Sequence, residues 1–133
     1  MTIASDTIDI PAVMAEVEAA FADYERALVG NDVKALDRFF LDRKTTLRYG
    51  INENLYGYAA IAAFRAARSP LGMERHLAKT VITTFGEDFG VASTLFRRDK
   101  LPGKVGRQMQ VWVRTADGWR VAAAHVSVID EPA

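Results

Sequence analysis

The sequence predicts an α+β fold in which a strongly bent antiparallel sheet is covered by an N-terminal helical hairpin and a third helix. Three observations support this: two helical patterns open the chain, a third follows a short polar stretch, and four successive strand patterns fill the second half. The chain has 133 residues, half of them hydrophobic, which suits a single domain with an ordered core at about 10–129. We expect such a sheet to form a cone with an apolar interior and a mouth beside the first helix.

The first helix is predicted from apolar residues that recur at intervals of three and four. Its start signals are Asp9 and Pro11, and Gly30 closes it. The apolar positions are Val13, Val17, Ala20, Phe21, Tyr24 and Leu28. Asn31 or Asp32 then caps a second, short helix. The residues of that helix predicted to face inward are Val33, Leu36, Phe39 and Phe40.

Two short strands and a third helix are predicted next. The strands lie at 45–49 and within 50–57, and the helix at 58–67 is stopped by Pro70 and Gly72. Four longer strands follow, at 76–85, 89–98, 107–115 and 119–129. Asp117-Gly118 marks the last connection as a hairpin turn. Four consecutive strands of this kind indicate an antiparallel meander.

Charge and composition exclude several classes of function. The 17 basic and 17 acidic residues give a net charge of zero, so nucleic acid and anionic membranes are not expected partners. The absence of cysteine excludes disulfides and thiolate chemistry, and no apolar run approaches the roughly 20 residues of a membrane helix. With no export signal at the N-terminus, we expect a cytoplasmic protein. Two separated histidines and the lack of any phosphate or dinucleotide motif predict neither metal nor cofactor.

Arg48 and Tyr24 are the residues that the local pattern singles out. Arg48 lies in the middle of the first predicted strand, and a buried guanidinium needs an anionic partner. That partner is either an internal carboxylate, such as Glu53 or Asp23, or a substrate carboxylate held by two parallel hydrogen bonds. Alternatively, Arg48 lies at a strand edge that is exposed to water. Tyr24 lies on the apolar stripe of the first helix, so its hydroxyl is expected to face the sheet. It is either a core tyrosine bonded to a backbone carbonyl or a proton donor beside Arg48.

Two further groups of candidates lie on the third helix and on the strand at 107–115. Arg65 and Arg68 are three positions apart on neighbouring helix faces, so we expect only one of them to contribute to the site. On the strand, alternation places Gln108, Gln110 and Trp112 on one face. A large aromatic residue beside two amides suits either a polar ligand wall or a dimer face.

His125 is the remaining candidate, on the last predicted strand. Regular alternation places it on the face that also carries Trp119, Val121, Ala123 and Ser127. The small alanines around it would leave room in front of the imidazole. A lone histidine is typically a satisfied core residue, and as a proton donor His125 ranks behind Tyr24.

Several segments of the sequence resemble one family over nearly the whole chain, from Pro11 to Val128. They are 24–28 with 31–32, 48–50 with 53–57, 64–68, 93–98, 106–108 with 112–115, and 118–121 with 124–127. They resemble the AtzH/HpxZ family, described as cyanuric-acid-pathway and oxalurate-catabolism proteins. The order of elements resembles the nuclear transport factor 2-like superfamily, the cone-shaped fold that also includes ketosteroid isomerase and SnoaL-type cyclases.

The resemblance implies a role in the breakdown of small nitrogen compounds, next to an amidase-signature enzyme as partner. AtzH-like proteins are associated with converting dicarboxyurea to allophanate, and the family's proposed catalytic tyrosine and arginine correspond to Tyr24 and Arg48. The substrate-binding residues that we predict are Asn54, Tyr56, Arg65, Arg68, Ser93, Gln110, Trp112 and His125. A sheet-to-sheet homodimer is also expected, because the helices cannot cover the outer face of the sheet.

Two classes of function remain open. The first is a small decarboxylating amidohydrolase acting on a carboxylated urea-type anion, in which Arg48 holds a carboxylate and Tyr24 donates a proton to the departing nitrogen. The second is a non-catalytic module that holds the same anion or delivers it to a partner amidase. An isomerase or dehydratase of the ketosteroid or scytalone type ranks third, because the long strands supply no acidic residue at an obvious inward position.

Overall fold

The structure is a computed structural model that describes residues 2–69 and 73–131. Its α-helices are α1 (Pro11–Val29), α2 (Val33–Phe39) and α3 (Tyr58–Ala67). Its strands are β1 (Leu47–Tyr49), β2 (Asn54–Tyr56), β3 (His76–Phe85), β4 (Phe89–Arg97), β5 (Lys104–Thr115) and β6 (Gly118–Asp130). None of the helices within these ranges has the length and apolarity to span a bilayer. The predicted stop signal at Pro70 and Gly72 lies outside the described residues.

The two N-terminal helices form the predicted hairpin. Pro11 occupies the first turn of α1, where its missing N–H costs nothing, and Gly30 follows the last turn. Asp32 is the residue that caps α2, since its carboxylate accepts a hydrogen bond of 3.2 Å from the backbone N–H of Ala35. The buried residues of α1 are Val13, Val17, Phe21, Tyr24, Ala27 and Leu28. This stripe packs against the sheet and forms one core with it.

All six strands belong to one sheet in the order β2-β1-β6-β5-β4-β3. The predicted meander is confirmed, because β3, β4, β5 and β6 pair as antiparallel neighbours. One pairing differs from the prediction: β1 lies parallel to β6, with Arg48 opposite Ala124. The sequence pattern could not show this pairing, since it joins a short early strand to the last one. The pairing of β1 with β6 places Arg48 beside the centre of the sheet.

A bulge in β6 reverses the predicted orientation of His125. Trp112 pairs with Val121, but Val111 pairs with Ala123. The one residue between Val121 and Ala123 on β6 is therefore unpaired. An unpaired residue shifts the alternation by one position. Trp119 and Val121 therefore face the helices, as predicted, whereas His125 lies exposed on the outer face. The prediction that His125 shares the face of Trp119 and Val121 is wrong for this reason.

Strand β5 begins three residues earlier than predicted, at Lys104, and Gly106 explains why the ladder extends so far. Gly106 pairs with Phe96 of β4, and a Cβ atom at Gly106 would lie 2.1 Å from the Phe96 ring. Only glycine leaves space for that ring to lie flat over the strand. Phe96 is thereby held, almost fully buried, on the inner face of the sheet.

Candidate functional site

Four arginines converge between the inner face of the sheet and the helices. Arg48 comes from β1, Arg68 follows α3, Arg75 precedes β3, and Arg98 follows β4. We call these four residues the arginine cluster. Their charges are close enough to interact, because Arg48 lowers the pKa of both Arg68 and Arg98. Four elements from different parts of the chain therefore bring positive charge to one place.

Arg48 is held by an internal carboxylate. Its Nη1 donates a hydrogen bond of 2.9 Å to Oε1 of Glu53, and its side chain is 14% exposed. Its guanidinium also lies 5.7 Å from the centre of the Phe64 ring. Of the two internal partners considered from the sequence, Glu53 is the one observed, since Asp23 pairs with Arg26 at the surface. The ion pair with Glu53 neutralises the charge of Arg48 but does not occupy all of the N–H donors of its guanidinium.

Arg75 is the most buried member of the cluster, with a side chain that is 1% exposed. Its guanidinium donates two hydrogen bonds to Glu25, of 2.9 and 2.5 Å, and a third of 2.9 Å to Oε1 of Gln108. It also stacks over the Phe96 ring at 4.6 Å. A buried guanidinium is tolerated when its donors are satisfied in this way. Arg75 is thus a structural member of the cluster, held on three sides.

Arg68 and Arg98 have no carboxylate within salt-bridge distance among the described residues. Nε and Nη2 of Arg68 and Nε of Arg98 are buried without a hydrogen-bond partner. Burial, followed by repulsion from Arg48, lowers the pKa of Arg68, and burial followed by repulsion from Arg75 lowers the pKa of Arg98. Among the described residues, Arg68 and Arg98 are therefore two positive charges without an ion-pair partner.

Tyr24 lies next to this cluster on α1, where it is 4% exposed. Its ring meets Trp112 of β5 edge-on at 6.1 Å and Phe39 of α2 at 5.9 Å. It faces the sheet, as the apolar stripe predicts, and it is close enough to Arg68 to affect the pKa of that arginine. The Tyr24 hydroxyl makes no hydrogen bond to any described residue. Within the described part of the chain, no backbone carbonyl holds this hydroxyl, as a core tyrosine would require.

The inner wall of β5 carries the three residues that alternation grouped together. Gln108, Gln110 and Trp112 are 3%, 1% and 0% exposed. The indole Nε1 of Trp112 donates a hydrogen bond of 3.1 Å to Oε1 of Gln110. This face is therefore buried on the inner side of the sheet, and the alternative of a dimer face is excluded for these residues. Nε2 of Gln108 is a further buried donor without a partner.

Arg65 is directed away from the cluster. Its Nη1 lies 2.6 Å from Oδ1 of Asp37, and its guanidinium stacks over Phe40 at 4.8 Å. This pair joins α3 to α2 and leaves the arginine 4% exposed. Of Arg65 in the last turn of α3 and Arg68 directly after it, Arg68 is thus the one that lies in the arginine cluster.

Three of the predicted binding residues lie together on the outer face of the sheet. Asn54, Tyr56 and His125 line an open groove of about 450 Å³ with Tyr49. The hydroxyls of Tyr49 and Tyr56 are 3.0 Å apart, and the Tyr49 ring meets His125 edge-on at 6.1 Å. Because Arg48 points inward, alternation turns Tyr49 outward together with its partners Asn54 and His125. The sheet separates these residues from the arginine cluster.

Ser93 also lies on the outer face. It pairs with Val81 on β3 and Met109 on β5, which are 62% and 54% exposed. Its hydroxyl is therefore surrounded by exposed apolar side chains, and it does not reach the cone. The role predicted for Ser93 in binding does not fit this position.

Sequence reasoning missed Arg98, Arg75 and Glu25 as parts of the site. Arg98 had a usable signal, because alternation along β4 places it on the inner face two positions after Phe96. Arg75 and Glu25 had none: Arg75 lies outside any predicted strand, and Glu25 pairs with it across 50 residues of sequence. Long-range ion pairs of this kind leave no local pattern.

Comparison with protein-family models identifies one family. A family model described as AtzH-like matches residues 6–132. No protein with curated annotation matches the chain. The solved structures that resemble it include a protein of unknown function from Pectobacterium atrosepticum, at 50% identity and a TM-score of 0.95, covering 97% of this chain and 100% of that one.

Two further structures place the fold. A protein from Burkholderia xenovorans, described as having a cystatin-like fold, is 48% identical with a TM-score of 0.90, covering 94% of this chain and 98% of that one. A protein of unknown function from Pseudomonas putida, described as nuclear transport factor 2-like, is 15% identical with a TM-score of 0.71, covering 95% and 89%. The predicted nuclear transport factor 2-like fold is confirmed.

Proposed function

The chain belongs to the AtzH-like family, and from this premise we propose that it acts on a small dianion of the urea type in the breakdown of cyanuric acid. Within that role, we propose a decarboxylating amidohydrolase that converts dicarboxyurea to allophanate. The observation that carries the proposal is the pair of half-buried guanidiniums of Arg68 and Arg98, which have no carboxylate partner among the described residues. Two uncompensated positive charges suit a ligand with two carboxylates.

The lining of the cone also favours an acceptor-rich ligand. The buried polar atoms without partners on Arg68, Arg98 and Gln108 are all donors. A dicarboxylated urea offers five oxygen acceptors, and its planar carboxylates match the fork of a guanidinium. A neutral ligand such as urea would leave both charges uncompensated. The site is therefore expected to bind dicarboxylates and ureido acids and to bind urea poorly.

In the proposed reaction, the bond between a nitrogen and the departing carboxyl carbon breaks. Its electron pair stays on nitrogen, the carboxyl group leaves as carbon dioxide, and the Tyr24 hydroxyl supplies the proton that nitrogen needs. The phenol O–H group is a hydrogen-bond donor, which is the kind of group this step needs. The nearby Arg68 cation would stabilise the phenolate until solvent returns the proton. Arg48 would hold a carboxylate through the donors that Glu53 leaves open.

An isomerase or dehydratase finds less support in the cone. Such chemistry needs a carboxylate base or a histidine–carboxylate pair at the substrate. Glu25 and Glu53, the carboxylates nearest the cluster, are each paired with an arginine. His76 and His125 are both exposed. The described residues thus offer the arginine cluster and Tyr24, rather than a base.

The decisive experiment measures carbon dioxide or allophanate formed from freshly prepared dicarboxyurea, with and without the purified protein. We expect a rate above that of the spontaneous reaction, and loss of this increase in Arg68→Met. Protein that is stabilised by the dianion but gives no acceleration at any pH would instead be the anion-binding module. In that case it would hold or deliver the anion to an amidase-signature enzyme, the partner that the resemblance implies.

The outer face is the proposed surface for a homodimer. Its exposed apolar side chains include Tyr56, Val81 and Met109, which are 63%, 62% and 54% exposed. Apolar side chains gathered on one sheet face are typical of an interface between subunits. The groove that holds His125 lies on the same face, so the outer candidates would belong to subunit contact rather than to catalysis.

A further inference from the structure

We infer that Glu25 and Arg75 are positioning residues that hold the amide of Gln108 with its NH₂ group turned into the cone, where it selects a ligand with a neutral acceptor between two carboxylates. This inference rests on the proposed dianion site and adds a specificity determinant to it. The three residues come from α1, the segment before β3, and β5. None of them needs to take part in bond breaking.

The chemistry of arginine determines which way the Gln108 amide points. Nη2 of Arg75 lies 2.9 Å from Oε1 of Gln108. A guanidinium has donors and no acceptor, so a flipped amide would set its NH₂ group against another donor. The amide oxygen must therefore face Arg75, and the NH₂ group must face the other way.

Arg75 is itself prevented from moving. Glu25 accepts two hydrogen bonds from its guanidinium, and the Phe96 ring lies 4.6 Å below it. Gly106 in turn keeps the Phe96 ring in place. A side chain that is bonded on one edge, stacked on one face and 1% exposed has a single orientation. The direction of the Gln108 amide is thus fixed before any ligand arrives.

The free end of the amide lacks only an acceptor. Nε2 of Gln108 is buried and has no hydrogen-bond partner. Because the amide is neutral, it adds nothing to the charge that attracts a dianion. Arg68 and Arg98 supply the charges for two carboxylates, and Gln108 is left to recognise an uncharged oxygen such as a carbonyl. A ligand that has a methylene group at that place would leave the donor buried and unpaired, which is unfavourable.

Two dianions of equal length can test the hydrogen bond from Gln108 separately from the binding of the carboxylates. Glutarate and 3-oxoglutarate each carry two carboxylates separated by three carbons, and they differ only in the central carbonyl group. Their dissociation constants, measured by calorimetry, give a ratio in which general effects on anion binding cancel. For the unaltered protein we expect 3-oxoglutarate to bind about fivefold more tightly, the range of one net hydrogen bond between neutral groups.

Variants of the three residues then test whether these residues cause the difference in affinity between the two dianions. Gln108→Leu should bring the ratio to about one, and so should Glu25→Gln combined with Arg75→Met, which keeps the charge balance of the cone. The matched control is Arg97→Met, which removes an arginine from an exposed ion pair with Glu131. It should keep the ratio of the unaltered protein.

Three results would overturn the inference. Equal binding of the two dianions by the unaltered protein, or a ratio that survives in Gln108→Leu or in the double variant, would remove the selecting role while leaving the anion site intact. Failure of the unaltered protein to bind either dianion would overturn the inference together with the proposed function.

Discussion

Replacing Arg68 with methionine is expected to make the ligand-free protein more stable. Nε and Nη2 of Arg68 are buried without partners, and burial and Arg48 both lower its pKa, so its charge opposes folding. Each unsatisfied buried donor costs about 1–3 kcal/mol, and methionine keeps a long apolar side chain without that cost. Allowing for lost packing, we expect the free energy of unfolding to rise by about 2 kcal/mol. For a chain of this size that corresponds to about 6 °C in melting temperature.

The matched control is Arg65→Met, three residues earlier on the same side of the chain. Arg65 is more deeply buried than Arg68, and it is paired with Asp37 at 2.6 Å. Its removal leaves Asp37, which is 28% exposed, without its cation. We therefore expect a loss of about 2 kcal/mol in the free energy of unfolding, the value of a hydrogen bond to a charged group. Two neighbouring arginines should thus change stability in opposite directions.

Thermal unfolding in a buffer without multivalent anions, with and without malonate, measures both effects. Malonate at about 100 times its dissociation constant should stabilise the unaltered protein by about 2.7 kcal/mol. Arg68→Met should lose that gain, and Arg65→Met should keep it. If ligand-free Arg68→Met melts below the unaltered protein, as Arg65→Met is expected to, the guanidinium is not an uncompensated charge and the reasoning fails.

Three further predictions follow from the same geometry. Tyr24→Phe should leave dianion affinity nearly unchanged and lower turnover by about 10²- to 10⁴-fold. Arg48→Lys should weaken affinity and rate together. Full activity in Tyr24→Phe would show that another group donates the proton. Gly106→Ala should cost about 1–3 kcal/mol in chemical unfolding, because the added methyl group displaces the Phe96 ring; unchanged stability would contradict the close packing. Light scattering should give a dimer that Met109→Glu dissociates, and a mass near 14.7 kDa for the unaltered protein would refute it.

Local sequence signals were sufficient for most of the fold. The interval of apolar residues located α1, and Asp117-Gly118 located the last hairpin, because both depend on neighbours in sequence. The parallel pairing of β1 with β6 could not be predicted from the sequence, since no residue near Arg48 specifies that Ala124 is its partner. The bulge in β6 was also missed, because the single extra residue leaves the composition of the strand unchanged.

The candidate site was predictable only where a pattern points inward. Tyr24 on the helix stripe and Gln110 on an alternating strand were placed correctly with respect to the cone. His125 was not, since its placement depended on a regular alternation that the bulge breaks. Which of Arg65 and Arg68 lies in the arginine cluster could be determined only from the structure, because it depends on the position of Asp37 on another helix.

The parallel contact between β1 and β6 also has a consequence for how the protein folds. Arg48 reaches the cluster only when β1 lies beside β6, and the two strands come from opposite parts of the chain. Contacts between distant segments form late, after local helices and hairpins. The meander can therefore assemble while the anion site is still incomplete, and docking of β1 would be the step that creates it. A dianion present during synthesis would act on that last step, favouring the docked state and shortening the time that the edge of β6 stays open to other chains.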